Sequence, residues 1–147
     1  MKKVFLVIIL VASILGLIDA VYLTIQHYNN AVVPCTILSG CGVVLKSSYA
    51  VVLGLPLSLV GTLYYLAVFV MALMVWRGKN SWLKKLWLLV LGGFLFTLYF
   101  IYLQIFVIEA WCIYCLVSAL MTTTIFLLLN FLVSEQKVLP DRDLTKF

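Results

Sequence analysis

Charge is what this sequence has least of. Of 147 residues only 10 are Lys or Arg and 5 are Asp or Glu, 10 % together, against 66 % apolar. Soluble domains carry about a quarter charged and half apolar residues. One small domain has too little core volume to hide so much apolar surface, so an ordinary soluble globule is excluded. The net charge of +5 does not signal nucleic acid, because the basic residues form no patch with polar readers between them. Repeats, low-complexity segments and a soluble second domain are also missing. Long, nearly uncharged runs point instead to an all-α polytopic membrane protein.

Three runs carry that reading. Val4 to about Tyr28 holds one acid, Asp19; Leu55–Trp76 holds no charge; Leu86–Val133 holds only Glu109. As a single helix the third run would be about 72 Å long. A bilayer core needs only about 20 residues, so it is two spans with a tight turn. No Gly or Pro marks that turn, and Glu109 is the only charge that places it. Lipid satisfies no backbone hydrogen bond, so every span is a helix. The expected fold is a four-transmembrane-helix bundle with spans at 4–28, 55–76, 86–107 and 110–133. It occupies 1–134, and a short polar tail covers 135–147. The start is similar to a signal peptide, but the run is long for one and Ile18-Asp19-Ala20 is a poor cleavage site.

Basic residues orient the bundle. Lys2, Lys3, Arg77, Lys79, Lys84, Lys85, Lys137, Arg142 and Lys146 fall on one side of an alternating layout, leaving Lys46 on the other. The positive-inside rule puts both termini in the cytoplasm and residues 29–54 outside the cell membrane.

All four cysteines then face outward, where thiols meet an oxidising regime. Cys35 and Cys41 lie in the loop after span one, and that loop has room for a short helix that Ser47 or Ser48 begins or caps. Cys112 and Cys115 form a Cys-x-x-Cys at the start of span four, where i and i+3 share a helix face. A helix N-terminus favours the thiolate, the species that attacks a disulfide; apolar burial opposes it. Two structural disulfides would need the same four residues. A zinc site calls for two closely spaced knuckles, which Cys35 and Cys41 do not supply, so no metal is expected. A thiol relay uses all four cysteines.

On these residues the chain resembles the vitamin K epoxide reductase family in its bacterial or archaeal form. Gly16-x-x-Asp19-Ala20-x-Tyr22-Leu23-Thr24 lies in span one. Cys35, five residues and Cys41 follow, then Ser47, Gly54-x-Pro56 and Gly61, and finally Cys112-x-x-Cys115. The DsbB proteins, similar in function, carry their Cys-x-x-Cys in the first outward loop instead. The resemblance implies a four-helix bundle around a quinone pocket, the quinone being ubiquinone, menaquinone or a vitamin K-like molecule. It implies a thiol:quinone oxidoreductase that reoxidises a thioredoxin-like, DsbA-like partner. The chain has no room for a fused thioredoxin-like domain, so that partner is expected as a separate protein. By motif position Cys35 meets the partner, Cys41 attacks the Cys112–Cys115 disulfide at Cys112, and Cys115 stands nearest the quinone. Ser47 matches a serine near the family's active site. The animal enzymes have an Asn where this chain has Leu57 and a Tyr where it has Ala119. Epoxide reduction driven by a reduced partner is therefore the alternative, and a non-catalytic scaffold with structural disulfides is the alternative of another class.

Auxiliary residues complete the expectation. Asp19 lies about 10 Å inside span one, where a charge is costly, so it faces the bundle as a proton relay or a hydrogen-bond acceptor for a Tyr or Trp. Ala12, Gly16 and Ala20 recur at the spacing of close helix contacts. His27, the only histidine, is a candidate for proton chemistry. Leu57, Gly61, Tyr102, Phe106 and Trp111 are expected around the quinone with Cys115. Tyr64, Tyr65 and Tyr99 are further pocket or packing candidates.

Overall fold

A computed structural model describes residues 2–29, 41–47, 50–52 and 54–138. Cys35, Ser48 and the tail beyond Val138 lie outside the described residues. The elements are α1 (Lys2–Tyr28), α2 (Cys41–Lys46), β1 (Val51–Val52), β2 (Leu55–Pro56), α3 (Leu57–Trp76), α4 (Ser81–Phe106) and α5 (Ile113–Val138). β1 and β2 form a small antiparallel hairpin. Helices α1, α3, α4 and the Ile113–Glu135 part of α5 are long and apolar enough to cross a bilayer. The protein is an all-α, multi-pass membrane bundle of four helices.

Local chemistry sets the helix ends. Pro56 precedes α3 with φ −62°, and it has no N–H to leave unpaired there. At the other end Gly78 takes φ 86°, a conformation that closes a helix at low steric cost. Helix α4 starts at Ser81, ahead of the apolar run that opens at Leu86. Leu83 and Leu86 are already buried one turn apart, and Lys84 and Lys85 occupy the exposed side. The two lysines interrupt the run without interrupting the helix, and Lys85 Nζ lies 4.9 Å from the centre of the Trp82 ring.

The turn between α4 and α5 centres on Glu109, but it is longer than the sequence suggests. The Leu103 carbonyl accepts from the amides of Val107 (3.0 Å) and Ile108 (2.8 Å), and the Gln104 carbonyl accepts from Ala110 (3.2 Å). Glu109 adopts φ 52°, the reversal that a glycine would otherwise supply. Helix α5 therefore begins at Ile113 rather than near 110.

Helix α1 packs on α3 and α5, and α4 packs on α5 and α3. The core holds Ile9, Tyr65, Val68, Ala72, Leu86, Val90, Ile125 and Leu129. Lipid is as apolar as these side chains, so close packing and polar links must hold the helices together. Gly16 lies directly under the Tyr65 ring, where any Cβ would overlap it. Gly93 meets Tyr64 in the same way. Tyr65 Oη donates to the Ser118 carbonyl at 2.8 Å and lies 2.9 Å from the Ser118 and Thr122 hydroxyls. Trp87 Nε1 donates to Asn130 Oδ1 at 3.0 Å, and Phe94 stacks on Phe126 at 4.3 Å. Such interhelical hydrogen bonds contribute about 0.6–2 kcal/mol each. The remaining apolar faces, Leu63 and Phe131 among them, are exposed as lipid-facing residues are.

Candidate functional site

A second cluster forms where α2 meets the α4–α5 turn. Cys41, Val44 and Cys112 are buried together, with Leu45, Ile108, Tyr114 and Cys115 packed around them. Cys41 opens α2 and is disulfide-bonded. Cys112 and Cys115 are free thiols. Ser47 closes α2 rather than beginning it: its amide and its hydroxyl both bond the Val44 carbonyl, at 3.3 Å and 2.7 Å.

Cys112 stands one residue ahead of the helix instead of in its first turn. Its carbonyl accepts from the Leu116 amide at 3.0 Å, which makes it the N-cap of α5. Its own N–H donates to Gln104 Oε1 at 3.1 Å. Gln104 comes from α4 and is only 2 % exposed. One side chain thus ties the buried end of α4 to the Cys-x-x-Cys.

That position governs the chemistry of Cys112. A hydrogen bond from the Cys115 thiol is the largest influence and holds the Cys112 thiol below its ordinary range. The backbone N–H groups of Cys115 and Tyr114 act in the same direction, as they do for an N-cap acceptor. Burial pushes the thiol back up, and so does the carboxyl of Asp19. The donors prevail, so Cys112 is the readier thiolate at the mouth of α5.

A cavity of about 510 Å³ runs from this cluster into the bundle. Asp19, His27, Ser47, Leu57, Gly61 and Cys115 all line it. Tyr64, Tyr65 and Ala119 line it as well. Trp111, Tyr102 and Phe106 are absent from its wall and are 43 %, 54 % and 66 % exposed. The reason is helical period: Leu103 and Gln104 take the buried side of α4, so Tyr102 and Phe106 fall on the opposite face and contact each other at 5.1 Å. Tyr99 is exposed on α4 too, and Trp111 sits in the turn before α5.

Two buried side-chain atoms among the described residues lack any hydrogen-bond partner: Asp19 Oδ2 and Tyr64 Oη. Asp19 faces the bundle, as its cost in lipid requires, but no Tyr or Trp donates to Oδ2. Sequence reasoning missed Gln104 altogether. The signal was present, since a carboxamide inside a membrane helix is expensive unless it has a partner. The hydroxyls of Ser118 and Thr122 were missed for a simpler reason: Ser and Thr satisfy themselves on their own helix and look unremarkable in a span.

No curated protein matches the chain. The profile of the vitamin K epoxide reductase family matches residues 7–129, most of the chain, across all four membrane helices and every cysteine. The protein therefore belongs to the vitamin K epoxide reductase family, a family of membrane oxidoreductases.

Proposed function

We propose that the protein is a thiol:quinone oxidoreductase that reoxidises a separate thioredoxin-like, DsbA-like protein on the outer face of the cell membrane. The observation that carries this reading is the placement of the cysteines. Cys115 lines the cavity, Cys112 is its hydrogen-bonded partner, and the disulfide-bonded Cys41 is buried in the same cluster as Cys112. A disulfide, a dithiol and a cavity adjoin in the order that electrons would follow.

The cavity suits a quinone. Its volume lies within the roughly 300–1,000 Å³ of small-molecule sites, its walls are mainly apolar, and its polar atoms are few. Cys115, Leu57, Gly61 and Tyr64 would hold the ring. A quinone, when bound, accepts two electrons and two protons.

The relay runs by thiol–disulfide exchange. A thiolate of the partner attacks the Cys35–Cys41 disulfide, and the partner leaves oxidised with Cys35 and Cys41 reduced. The Cys41 thiolate then attacks Cys112 in a Cys112–Cys115 disulfide. Cys35 resolves that bond, which restores Cys35–Cys41 and leaves Cys112 and Cys115 as thiols. Their two electrons and two protons leave through the cavity as the pair closes to a disulfide. In this scheme a form with Cys41 disulfide-bonded and Cys112 and Cys115 as thiols, the pairing described above, stands just before that last step. Each 30 mV of potential drop along the relay is worth about 1.4 kcal/mol.

Epoxide reduction is the lesser reading, because Leu57 and Ala119 line the cavity where the animal enzymes have an Asn and a Tyr. The test is quinone reduction by purified protein supplied with a reduced thioredoxin-like protein. Cysteine-dependent loss of quinone absorbance is expected, and Cys41→Ala and Cys115→Ala each abolish it. Full activity in either variant would end the scheme. Turnover of a quinone epoxide alone would establish the reductase, and four inert cysteines would make the scaffold reading the leading one.

A further inference from the structure

A buried carboxylate oxygen stands without a partner beside the thiols. Asp19 Oδ2 is shut off from solvent and accepts no hydrogen bond. A buried polar group left unpaired calls for a reason. Its height in the bundle supplies one. Helices α1 and α5 run antiparallel, and two contacts fix their register. Gly16 lies under the ring of Tyr65, whose Oη bonds Ser118 of α5. Six residues later on α1, Tyr22 meets the ring of Tyr114, with centroids 5.5 Å apart. Asp19 stands midway between Gly16 and Tyr22, about 4.5 Å from each along the helix. On α5, Tyr114 and Ser118 enclose Cys115 in the same way. Asp19 and Cys115 therefore sit at one level, and both line the cavity. The Asp19 charge acts on the Cys112 and Cys115 thiols, on Tyr114 and on Tyr65, which is the neighbourhood that this register gives it.

Chemistry at that level needs a base. When Cys112 and Cys115 close to a disulfide, the S–H bond of Cys115 must break. Cys112 is the readier thiolate and gives up its proton first, while Cys115 still holds one and donates it to Cys112. Among the described residues that line the cavity, Asp19 is the only carboxylate and His27 the only imidazole. His27 follows Asp19 by eight residues, about 12 Å along α1, which puts it past the level of Tyr114. The Tyr65 hydroxyl is committed to Ser118 and Thr122. An ionised carboxylate is purely an acceptor, and that capacity stands unused at Asp19 Oδ2.

We propose that Asp19 is the base of the redox pair: its Oδ2 takes the proton of Cys115 as the Cys112–Cys115 bond forms and passes it to the quinone. This rests on the reading of the protein as a thiol:quinone oxidoreductase. One S–S bond forms, the S–H bond of Cys115 breaks, two electrons pass to the quinone, and the Cys115 proton reaches it by way of Asp19. The second proton is the one that Cys112 sheds on becoming a thiolate. Asp19 ends as it began, an ionised carboxylate ready for the next turnover.

The test uses the full-length protein in detergent, with Cys112 and Cys115 reduced, mixed in a single turnover with a short-chain 1,4-naphthoquinone whose loss is followed by absorbance. Asp19→Asn keeps the size of the side chain and removes the base; it should slow quinone loss about 100-fold or more, as the loss of a general base does. Asp19→Ala should be equally slow, and formate, a small carboxylate that fits the space vacated beside Cys115, should restore about tenfold of the rate or more. Chloride at the same concentration should restore nothing. In their disulfide forms both variants should bind the naphthoquinone with parental affinity by isothermal titration, and both should still oxidise a reduced thioredoxin-like protein, which shows that they are folded. A parental rate in Asp19→Asn overturns the role of Asp19 and leaves the thiol:quinone reading standing. Slow variants that formate does not relieve assign Asp19 to packing and overturn the role as well. Absence of cysteine-dependent quinone loss in the unaltered protein overturns the thiol:quinone reading and this assignment with it.

Discussion

Gln104→Leu is the most informative substitution the structure offers. Leucine nearly matches glutamine in volume, so the buried site loses an acceptor and gains no cavity. The amide of Cys112 then points into an apolar environment without a partner. A buried unsatisfied N–H costs about 1–3 kcal/mol. The backbone bonds from Val107, Ile108 and Ala110 survive, so the cost falls on the segment from Ala110 to Cys112. At 1.4 kcal/mol per tenfold, local opening of that segment rises about 5- to 140-fold. Cys112 is 0 % exposed, so a maleimide can reach it only when the segment opens. With the dithiol form in detergent, the labelling rate of Cys112, followed by mass spectrometry, should rise by the same factor. Phe106→Leu, on the exposed face of the same helix, should leave the rate unchanged. A Gln104→Leu rate within twofold of the parent would refute the idea that this carboxamide secures the redox pair.

Other outcomes follow from the same geometry. Gly16→Ala forces a methyl into the Tyr65 ring and should cost about 1–3 kcal/mol in detergent unfolding, whereas Gly92→Ala meets nothing within 4 Å and should be silent; equal effects would contradict the packing. Glu109→Gly relieves a left-handed backbone and should stabilise by about 1 kcal/mol, so a lowered melting temperature would contradict the turn described. Because its thiol is held below the ordinary range, Cys112 should ionise with a pH midpoint below that of a free thiol, read by ultraviolet thiolate absorbance. Cys115→Ala removes the leading donor and should move that midpoint upward; an unmoved midpoint would show that Cys115 does not set it.

The bundle was legible in the sequence because apolar length is a strong signal in lipid. Four spans, the turn at Glu109 and the small-residue contact at Gly16 all follow from one-dimensional patterning. The motif residues Asp19, Ser47, Leu57, Gly61 and Cys115 do meet at one cavity. Residues proposed on aromaticity alone, Tyr102, Phe106 and Trp111, did not join them. In a membrane helix an aromatic side chain is equally at home against lipid and against protein, so composition does not say which way it faces. Gln104 decides the orientation of its helix, since the face that buries a carboxamide must be the inner one. The start of α4 was obscured because lysines are read as the end of a span even when the helix continues through them.

Consecutive tyrosines on α3 have a consequence for how that helix is held. Adjacent residues point about 100° apart around a helix of 3.6 residues per turn. Tyr65 is notched into Gly16 of α1 and Tyr64 into Gly93 of α4. A single notch would leave α3 free to roll about its axis; two notches at one height, on two different neighbours, fix its azimuth. Gly61 and Leu57, about one and two turns nearer the thiols, inherit that angle and face the cavity because of it. The wall beside the acceptor can therefore change its side chains while the rotational setting of the helix stays where the tyrosines hold it.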